Sequence, residues 1–272
     1  MTAWHPARRR LWTLIFSAIA TCALAQQPAT QEFTPEVGQH GKDVVWVPSP
    51  QQLVEKMLDM AKVTSSDYVI DLGSGDGRTV IAAAKRGASA LGIEYNPDMV
   101  ALSKRNAARE AVSGKAGFVQ ADIFQSDLSK ATVVTMFLLT ELNLRLRPTL
   151  LALKPGTRIV SNTFRMGDWH PEETADLHCD SYCTAYLWIV PARVEGVWHL
   201  PRGELALKQE FQMVSGTLKS GDTATPVSKG RLRGDQIRFV AGEAEYRGRV
   251  GDKAIEGVVK TEGNTRAWSA SR

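Results

Sequence analysis

The sequence predicts an α/β protein, with a doubly wound parallel sheet followed by a small antiparallel β domain. Two patterns carry this prediction: apolar strands alternate with helices up to about residue 192, and polar and apolar residues then alternate in short runs. The chain has 272 residues, 43% of them apolar, enough to fill one full α/β core and a smaller second core. A largely disordered chain is therefore excluded.

The first part of the chain supplies the elements of the parallel sheet. Apolar residues recur at helical spacing from Leu53 to Ala61, after Ser49-Pro50, which predicts a helix leading into the sheet. Strands are predicted at 68–72, 88–94, 116–121, 132–138 and 157–163. Helices are predicted at 78–86, 97–110 and 142–153. Asn96 as cap and Pro97 in the first turn mark the start of the second of these helices.

Residues after about 194 follow a different pattern. Alternating runs such as 204–208 and 236–240 are separated by Gly-Asp pairs, which are typical of hairpin turns. These pairs are Gly221-Asp222, Gly234-Asp235 and Gly251-Asp252. They predict an antiparallel β domain over 193–272, either a small sandwich or an open barrel. The run 184–191 is either an extra strand of the first sheet or the first strand of the second.

The N-terminus has the pattern of an export signal. Arg8, Arg9 and Arg10 precede the apolar run 11–20, and Ala23-Leu24-Ala25 places small residues at a cleavage site. We therefore predict a signal peptide at 1–25 and a periplasmic location, with an uncleaved membrane anchor as the alternative. A flexible arm is predicted at 26–43, which is rich in Gln, Pro, Thr and Gly, before a cofactor-binding domain over 44–192.

Removal of the signal changes the charge balance. The intact chain has 33 basic and 29 acidic residues, and residues 1–25 contain three arginines and no acid, so the net charge falls from +4 to +1. A charge this small gives no indication of nucleic-acid binding. Residues 201–272 have 13 basic and 9 acidic residues, which indicates either attraction to an acidic surface or a solvated sheet face.

Two cysteines remain after cleavage, Cys179 and Cys183. In an oxidising compartment, thiols four residues apart are candidates for a disulfide. His178 offers a metal-binding alternative, but one His with a single Cys pair matches a zinc site poorly. We therefore predict no metal site.

A glycine-rich turn directly follows the first predicted strand, in the sequence Asp71-Leu72-Gly73-Ser74-Gly75-Asp76-Gly77. Such a turn lets the backbone approach a ligand closely, and the next helix offers free N–H groups to an anion. The spacing Gly-x-Gly-x-Gly differs from the Gly-x-Gly-x-x-Gly of dinucleotide sites, which favours S-adenosylmethionine over NAD. The residues predicted to bind this cofactor in the turn are Asp71, Gly73, Ser74, Gly75 and Gly77.

Acidic residues at the ends of the next two strands support the same cofactor. Glu94 ends the second strand, where a carboxylate accepts hydrogen bonds from ribose hydroxyls. Asp122 follows the third strand and is predicted to accept from the adenine amino group, with Ile123 beside the ring. A helix cap is the alternative role for Asp122.

These residues resemble the class I S-adenosylmethionine-dependent methyltransferases, over about 44–175 of the chain. Within that class, Val47-Pro48-Ser49-Pro50, the run 70–78 and Glu94-Tyr95-Asn96-Pro97 are similar to the lysine N-methyltransferases that modify the mitochondrial adenine nucleotide translocase and the c-ring protein of ATP synthase. The resemblance implies a Rossmann-like methyltransferase fold, a pocket shaped by Pro48 and Pro50, and methylation of a protein lysine. The β domain and the export signal lie outside the pattern of the mitochondrial members.

The sequence defines the acceptor side of the site less well. Glu141, Asn143 and Asn162 follow the fourth and fifth strands, where open α/β sheets bind ligands, so they are the catalytic candidates. Methylation of a small molecule is one alternative function. An exported binding protein that keeps the fold without catalysis is another, because fold and function are separable.

Four aromatic residues are candidates for an apolar mouth, in which desolvation favours the neutral form of a lysine amine. They are Phe137, Phe164, Trp169 and Tyr186. Each is also a candidate for the core. The segment 137–140 of this chain is Phe-Leu-Leu-Thr, where the resemblance to bacterial members of the family implies a Tyr-Leu-Leu-Pro type segment. A contact made there by an aromatic hydroxyl or a proline is therefore not expected in this chain.

Overall fold

The computed structural model describes residues 1–4 and 32–272. Most of the predicted signal peptide at 1–25, including its arginines, apolar run and cleavage site, lies outside the described residues. Residues 33–272 form one unit, which is described below. In the described parts of the chain, no helix is long and apolar enough to cross a bilayer.

Residues 51–189 contain helices and the strands of a first sheet. The helices are α1 (Gln51–Met60), α2 (Arg78–Lys85), α3 (Pro97–Arg109) and α4 (Thr140–Leu151). The strands are β1 (Tyr68–Leu72), β2 (Ser89–Glu94), β3 (Ala116–Gln120), β4 (Val133–Met136), β5 (Arg158–Asn162), β6 (Glu173–Asp176) and β7 (Thr184–Ile189). Each helix and strand predicted between residues 51 and 163 is therefore present, with small differences at its ends.

The first sheet has seven strands in the order β3-β2-β1-β4-β5-β7-β6. Strands β1 to β5 pair in parallel, as predicted, whereas β7 pairs antiparallel with both β5 and β6. The run 184–191 therefore belongs to the first sheet. Strand β6 was not predicted, because it is a short, mostly exposed edge strand without an apolar face.

Helices cover both faces of this sheet. On one face, Leu53 of α1, Val80 of α2 and Val100 of α3 share a buried cluster. On the other face, Leu146 and Leu150 of α4 belong to a second cluster. Because the helices shield both faces, ligands reach the sheet at the carboxyl ends of its parallel strands.

Residues 196–271 form a second, antiparallel sheet. Its strands are β8 (Gly196–Leu200), β9 (Gly203–Glu210), β10 (Met213–Ser220), β11 (Thr223–Arg233), β12 (Gln236–Ala241), β13 (Ala244–Val250), β14 (Ala254–Thr261) and β15 (Asn264–Ser271). Consecutive strands are neighbours, and β15 pairs with β8 through Ser271 and His199, which closes a barrel. The prediction of a sandwich or an open barrel was therefore wrong on closure, because the closing contact joins strands far apart in sequence.

The inside of the barrel is a packed core. Trp198, Leu205 and Ile255 are fully buried there. Phe239 stacks on Tyr246 with ring centroids 4.7 Å apart and meets the edge of Trp268 at 5.8 Å. Side chains therefore fill this eight-stranded barrel, as is usual for its size.

The barrel packs against the segment that follows β5. Phe211, in the turn between β9 and β10, stacks on Trp169 with ring centroids 5.9 Å apart. Gln212 donates from Nε2 to the carbonyl oxygen of His170 at 2.9 Å. These contacts connect the β9–β10 turn to the second core cluster of the α/β part.

The segment before α1 contains a hydrogen-bonded turn. The N–H of Gly38 donates to the carbonyl oxygen of Trp46 at 2.8 Å, and the N–H of Trp46 donates to that of Gln39 at 2.9 Å. His40 and Val45 form an isolated antiparallel bridge. Residues 38–43, predicted as part of a flexible arm, therefore form a hydrogen-bonded turn with Trp46 as its anchor.

Candidate functional site

A crevice lies at the carboxyl ends of β1 to β4, the edge at which open α/β sheets bind ligands. It encloses about 1340 Å³, counted out to its open mouth. The predicted cofactor residues that line it are Asp71, Gly73, Ser74, Gly75, Glu94, Asp122 and Ile123. Gly77 lies beside them as the N-cap of α2. The structure therefore brings the predicted cofactor residues together at one edge of the sheet.

The loop between β1 and α2 depends on left-handed glycines. The φ angle is +73° at Gly73, +53° at Gly75 and +85° at Gly77, a region that residues with a Cβ rarely adopt. A Cβ added to Gly75 would lie 2.6 Å from Nε1 of Trp46, and one added to Gly77 would lie 2.8 Å from the ring of Phe118. Glycine is therefore required in this loop both for its backbone conformation and for its close contacts.

Glu94 is fixed between this loop and α3. Its Oε2 accepts a hydrogen bond from the N–H of Gly75 at 2.9 Å, and its Oε1 accepts from the N–H of Asn96 at 2.9 Å. Asn96 in turn caps α3, because its side chain accepts from the N–H of Asp98 at 2.9 Å. Each oxygen of the Glu94 carboxylate has a further lone pair for a ligand hydroxyl. The geometry therefore fits the predicted contact with a ribose.

Asp71 is a nearly fully buried carboxylate at the base of the crevice, with 6% of its surface exposed. Its Oδ1 accepts a hydrogen bond from Oγ1 of Thr135 at 2.6 Å. Burial raises the pKa of Asp71 to about 7; the bond from Thr135 opposes this rise, and the charges of Glu94 and Asp76 add to it. A cationic ligand group near Asp71 would favour its ionised form.

Asp122 lies at the opposite end of the crevice, in an ion pair that the sequence did not indicate. Its Oδ2 lies 2.6 Å from Nζ of Lys42, and this hydrogen bond lowers the pKa of Asp122 and raises that of Lys42. Its Oδ1 accepts from the N–H of Phe124 at 2.9 Å, which is the capping type of contact considered as its alternative role. A ligand amino group at Asp122 would therefore share this carboxylate with Lys42.

The donors and acceptors around the crevice fit S-adenosylmethionine. The loop and the start of α2 offer N–H groups to the cofactor's carboxylate, Asp71 offers an acceptor to its amino group, and Glu94 offers acceptors to its ribose. The hydroxyl oxygen of Ser74 is buried and has no hydrogen-bond partner within the described residues. Such a group is costly without a partner, so a polar ligand here would satisfy it.

Three aromatic rings form the apolar wall of the crevice. Phe137 and Phe164 have ring centroids 6.0 Å apart, and Tyr182 meets Phe137 edge-on at 5.2 Å. All three line the crevice. Of the four aromatic residues considered for this role, Trp169 and Tyr186 lie instead in the core cluster on the α4 side. We call Phe137, Phe164 and Tyr182 the aromatic mouth.

Tyr182 was missed because it lies in the loop between β6 and β7, far from any recognised motif. The loop is closed by a disulfide between Cys179 and Cys183, which was one of the two alternatives for these cysteines. Tyr182 has a positive φ of +56° and is 40% exposed. Within the described residues, no cluster of His, Cys, Asp and Glu is arranged to hold a metal ion.

The three catalytic candidates do not line the crevice. Glu141 is exposed near the start of α4. Asn143 is fully buried and donates from Nδ2 to the carbonyl oxygens of Phe164 and Arg165, at 3.2 and 3.3 Å. Asn162 is also fully buried and donates to Oγ of Ser49 at 2.9 Å. The two asparagines therefore fix segments that border the crevice, and Asn143 positions Phe164 of the aromatic mouth.

Part of this chain, including most of the residues that line the crevice, is similar to known methyltransferases. A family described as the ANTKMT methyltransferase domain matches residues 71–173. The chain is 42% identical over 151 residues to a protein-lysine N-methyltransferase of Saccharolobus islandicus, covering 54% of this chain and 94% of that protein. It is 34% identical over 130 residues to the mouse adenine nucleotide translocase lysine N-methyltransferase, covering 47% of this chain and 56% of that protein.

A solved structure matches the same part of the chain. It is the crystal structure of an RNA methyltransferase from Salinibacter ruber in complex with S-adenosylhomocysteine, 45% identical, with a TM-score of 0.52. The match covers 54% of this chain and 96% of that one. The predicted cofactor, S-adenosylmethionine, is thereby confirmed, and so is the enzyme class. The chain belongs to the S-adenosylmethionine-dependent methyltransferases, in the family of the protein-lysine N-methyltransferases.

Proposed function

We propose that this chain transfers a methyl group from S-adenosylmethionine to a lysine side chain of a protein. The observation that carries the proposal is the aromatic mouth, which lines the same crevice as the predicted cofactor residues. Curated relatives that match in sequence are named as lysine N-methyltransferases, which supports the same acceptor. The chain spans only about half of the mouse relative, so that protein's substrate is not transferred to this chain.

The charge of the crevice favours a cationic acceptor. Its acidic lining residues are Asp43, Asp71, Asp76, Glu94 and Asp122. Its basic lining residues are Lys42 and Arg78, and both are paired with acids, at 2.6 Å in each case. This excess of acids attracts a lysine ammonium and repels the phosphates of a nucleic acid. The RNA acceptor in the name of the Salinibacter ruber enzyme is therefore not proposed here.

The apolar rings also act on the protonation state of the acceptor. A lysine amine is a nucleophile only after it loses its proton, and its ordinary pKa is about 10.4. Burial against Phe137, Phe164 and Tyr182 disfavours the charged ammonium, so the proton leaves to solvent more readily. When bound, S-adenosylmethionine supplies a methyl group attached to a sulfonium sulfur, which leaves readily as a neutral thioether. The chain's own contribution is then to hold the amine in line with the methyl–sulfur bond, without a dedicated base.

The open form of the crevice argues against the alternative of a small-molecule acceptor. Tyr182 is 40% exposed at the mouth, so the aromatic rings are accessible from outside rather than enclosed. A small acceptor is held by a pocket that buries most of its surface. A long side chain projecting from a protein surface is compatible with an open mouth.

We also propose that the chain is exported, as its first 25 residues predict. The Cys179–Cys183 disulfide supports this proposal, because disulfides persist in oxidising compartments. Fusion of residues 1–30 to a reporter that is active only outside the cytoplasm tests it directly. A reporter that stays inactive would contradict export.

The acceptor is tested by mass spectrometry of cell-envelope proteins from the native strain and from a strain lacking this chain. We expect at least one lysine to lose a methyl mark in the deletion strain. The mark should return with the wild-type chain and with Tyr182→Phe, which keeps the ring, but not with Tyr182→Ala. If no lysine differs between the two strains, the protein-lysine proposal is wrong.

A further inference from the structure

An arginine row crosses the outer face of the barrel, far from the cofactor motif in sequence. Arg231 of β11 lies directly opposite Arg238 of β12, which lies directly opposite Arg247 of β13. Two residues along β12, on the same face of the sheet, Gln236 lies between Arg233 of β11 and Arg249 of β13. Like charges directly opposite one another destabilise a sheet, so this arrangement costs free energy unless an anion offsets it.

The offset from the chain's own acids is partial. Arg231 lies 2.9 Å from Oε2 of Glu172, and Arg247 lies 2.8 Å from Oε1 of Glu245. Arg249 lies 3.4 Å from Oδ2 of Asp235. Arg238, at the centre of the row, has no ion pair or side-chain hydrogen bond with any residue that the structure describes, nor does Arg233. The centre of the row therefore lacks a counter-charge.

The arginines line a cleft of about 1290 Å³, counted out to its open side. This cleft shares no lining residue with the cofactor crevice. Glu172 also lines it, with only 10% of its side chain exposed. The Oε1 atom of Glu172 is buried and has no hydrogen-bond partner among the described residues. The cleft thus combines unpaired guanidinium donors with an unsatisfied buried acceptor.

We propose that this cleft binds a phosphate group that carries a nearby hydroxyl, as in a glycerol phosphate. The planar guanidinium donates paired hydrogen bonds to phosphate oxygens, which suits Arg238 and its neighbours. The hydroxyl donates to Oε1 of Glu172 and satisfies it. Glu172, Glu245 and Glu256 border the same arginines and repel an extended polyphosphate, so a single phosphate fits better than a nucleic-acid backbone.

Such a phosphate has two sources, a soluble glycerol phosphate or the headgroup of an anionic phospholipid. Calorimetry of the mature chain with glycerol 3-phosphate tests the first source. Co-sedimentation with phosphatidylglycerol vesicles, compared with phosphatidylcholine vesicles, tests the second. Binding in either arm supports the site and identifies its source, provided that the variants below behave as expected.

The variant pair is Arg238→Gln and Arg202→Gln. Both remove one positive charge from an exposed arginine of the barrel, but Arg202 lies in the β8–β9 turn, away from the cleft. We expect Arg238→Gln to weaken binding about tenfold or more, from the loss of one charge-assisted contact, and Arg202→Gln to have little effect. Equal weakening by both variants would show general electrostatic attraction and overturn the proposal. So would the absence of binding in both arms, or stronger binding of single-stranded RNA than of either probe.

Discussion

The α/β part and the barrel bury different kinds of residue. In the α/β part, polar side chains such as Asp71, Ser74 and Thr135 are almost fully buried beside the crevice. Among residues 196–271, the only polar side chain buried to that degree is Gln212, in the turn that contacts the α/β part. Buried polar groups cost free energy unless they are paired, so those beside the crevice are the ones whose cost a bound polar ligand would offset. The barrel's apolar burial stabilises the fold instead.

The two parts also use left-handed glycines differently. Gly75 and Gly221 have nearly the same φ, +53° and +57°. A Cβ on Gly75 would collide with Trp46, whereas one on Gly221 would meet no atom within 4 Å. Gly221 is therefore required only for the backbone conformation of its hairpin turn, whereas Gly75 is also required because Trp46 packs closely against it. Four experiments test whether binding and stability are separated in this way.

The largest expected effect on stability is that of Phe239→Ala in the barrel. Truncation of a buried phenylalanine costs about 3–5 kcal/mol, from lost transfer energy and the cavity left behind; Phe239 is 1% exposed and packs against two aromatic rings. We expect a large fall in the free energy of unfolding by urea titration. Affinity for S-adenosylhomocysteine should stay within about twofold under folding conditions. A large loss of affinity would show that the barrel and the crevice are coupled.

The opposite pattern is expected for Glu94→Ala. Loss of a charged acceptor that holds two N–H groups and is predicted to accept from a ribose should cost about 3 kcal/mol of binding, or about 100-fold in affinity. Calorimetry with S-adenosylhomocysteine measures this loss, and circular dichroism checks that the fold is kept. Glu110→Ala removes an exposed acid paired with Lys85 and serves as the control with unchanged affinity. Retained affinity in Glu94→Ala would mean that the cofactor site is assigned wrongly.

A matched pair of glycine variants is expected to differ by a smaller amount. Gly75→Ala and Gly221→Ala both place a Cβ at a left-handed φ, which costs about 1–2 kcal/mol. Only Gly75→Ala adds a collision with Trp46, so it should be more destabilising and should also weaken cofactor binding. Thermal unfolding with and without S-adenosylhomocysteine measures both effects. Equal destabilisation by both variants, with no change in affinity for S-adenosylhomocysteine, would show that the close contact between Gly75 and Trp46 has no role in binding.

The smallest expected effect is a pH dependence caused by Asp71. Because its pKa is about 7 in the folded chain and about 3.9 in an unfolded chain, the folded state binds the extra proton between these values. Stability without cofactor should therefore fall as the pH rises from about 4 through 7, by about 1–2 kcal/mol between pH 6 and 8. Asp71→Asn should lack this component, which the difference between the two urea-unfolding curves isolates. Parallel curves would show that Asp71 is already ionised below pH 6.

Much of the lining of the crevice could be predicted from the sequence because its signals are local. Gly73, Gly75 and Gly77 follow a buried strand at fixed spacing, and Glu94 ends the next strand, so the parallel sheet brings them to one edge. The missed residues lack any such signal. Lys42 reaches Asp122 across 80 positions in sequence, and Tyr182 reaches Phe137 from a loop between antiparallel strands. The candidates Glu141, Asn143 and Asn162 lie near the carboxyl ends of the strands, as predicted, but the two asparagines are fully buried and do not line the crevice.

By itself, the sequence determined the strands and helices from α1 to β5, their parallel pairing and the glycine-rich loop, because periodicity and turn chemistry act over a few residues. The antiparallel edge formed by β7 and β6 was decided by the tertiary structure. Tertiary structure alone decided that the β domain closes as a barrel, since Ser271 must meet His199. It also decided that Trp169 and Tyr186 belong to the core while Phe137 and Phe164 face the crevice. The sequence next to an aromatic residue does not indicate whether its ring will face the core or the crevice, because this depends on packing against elements that are distant in sequence.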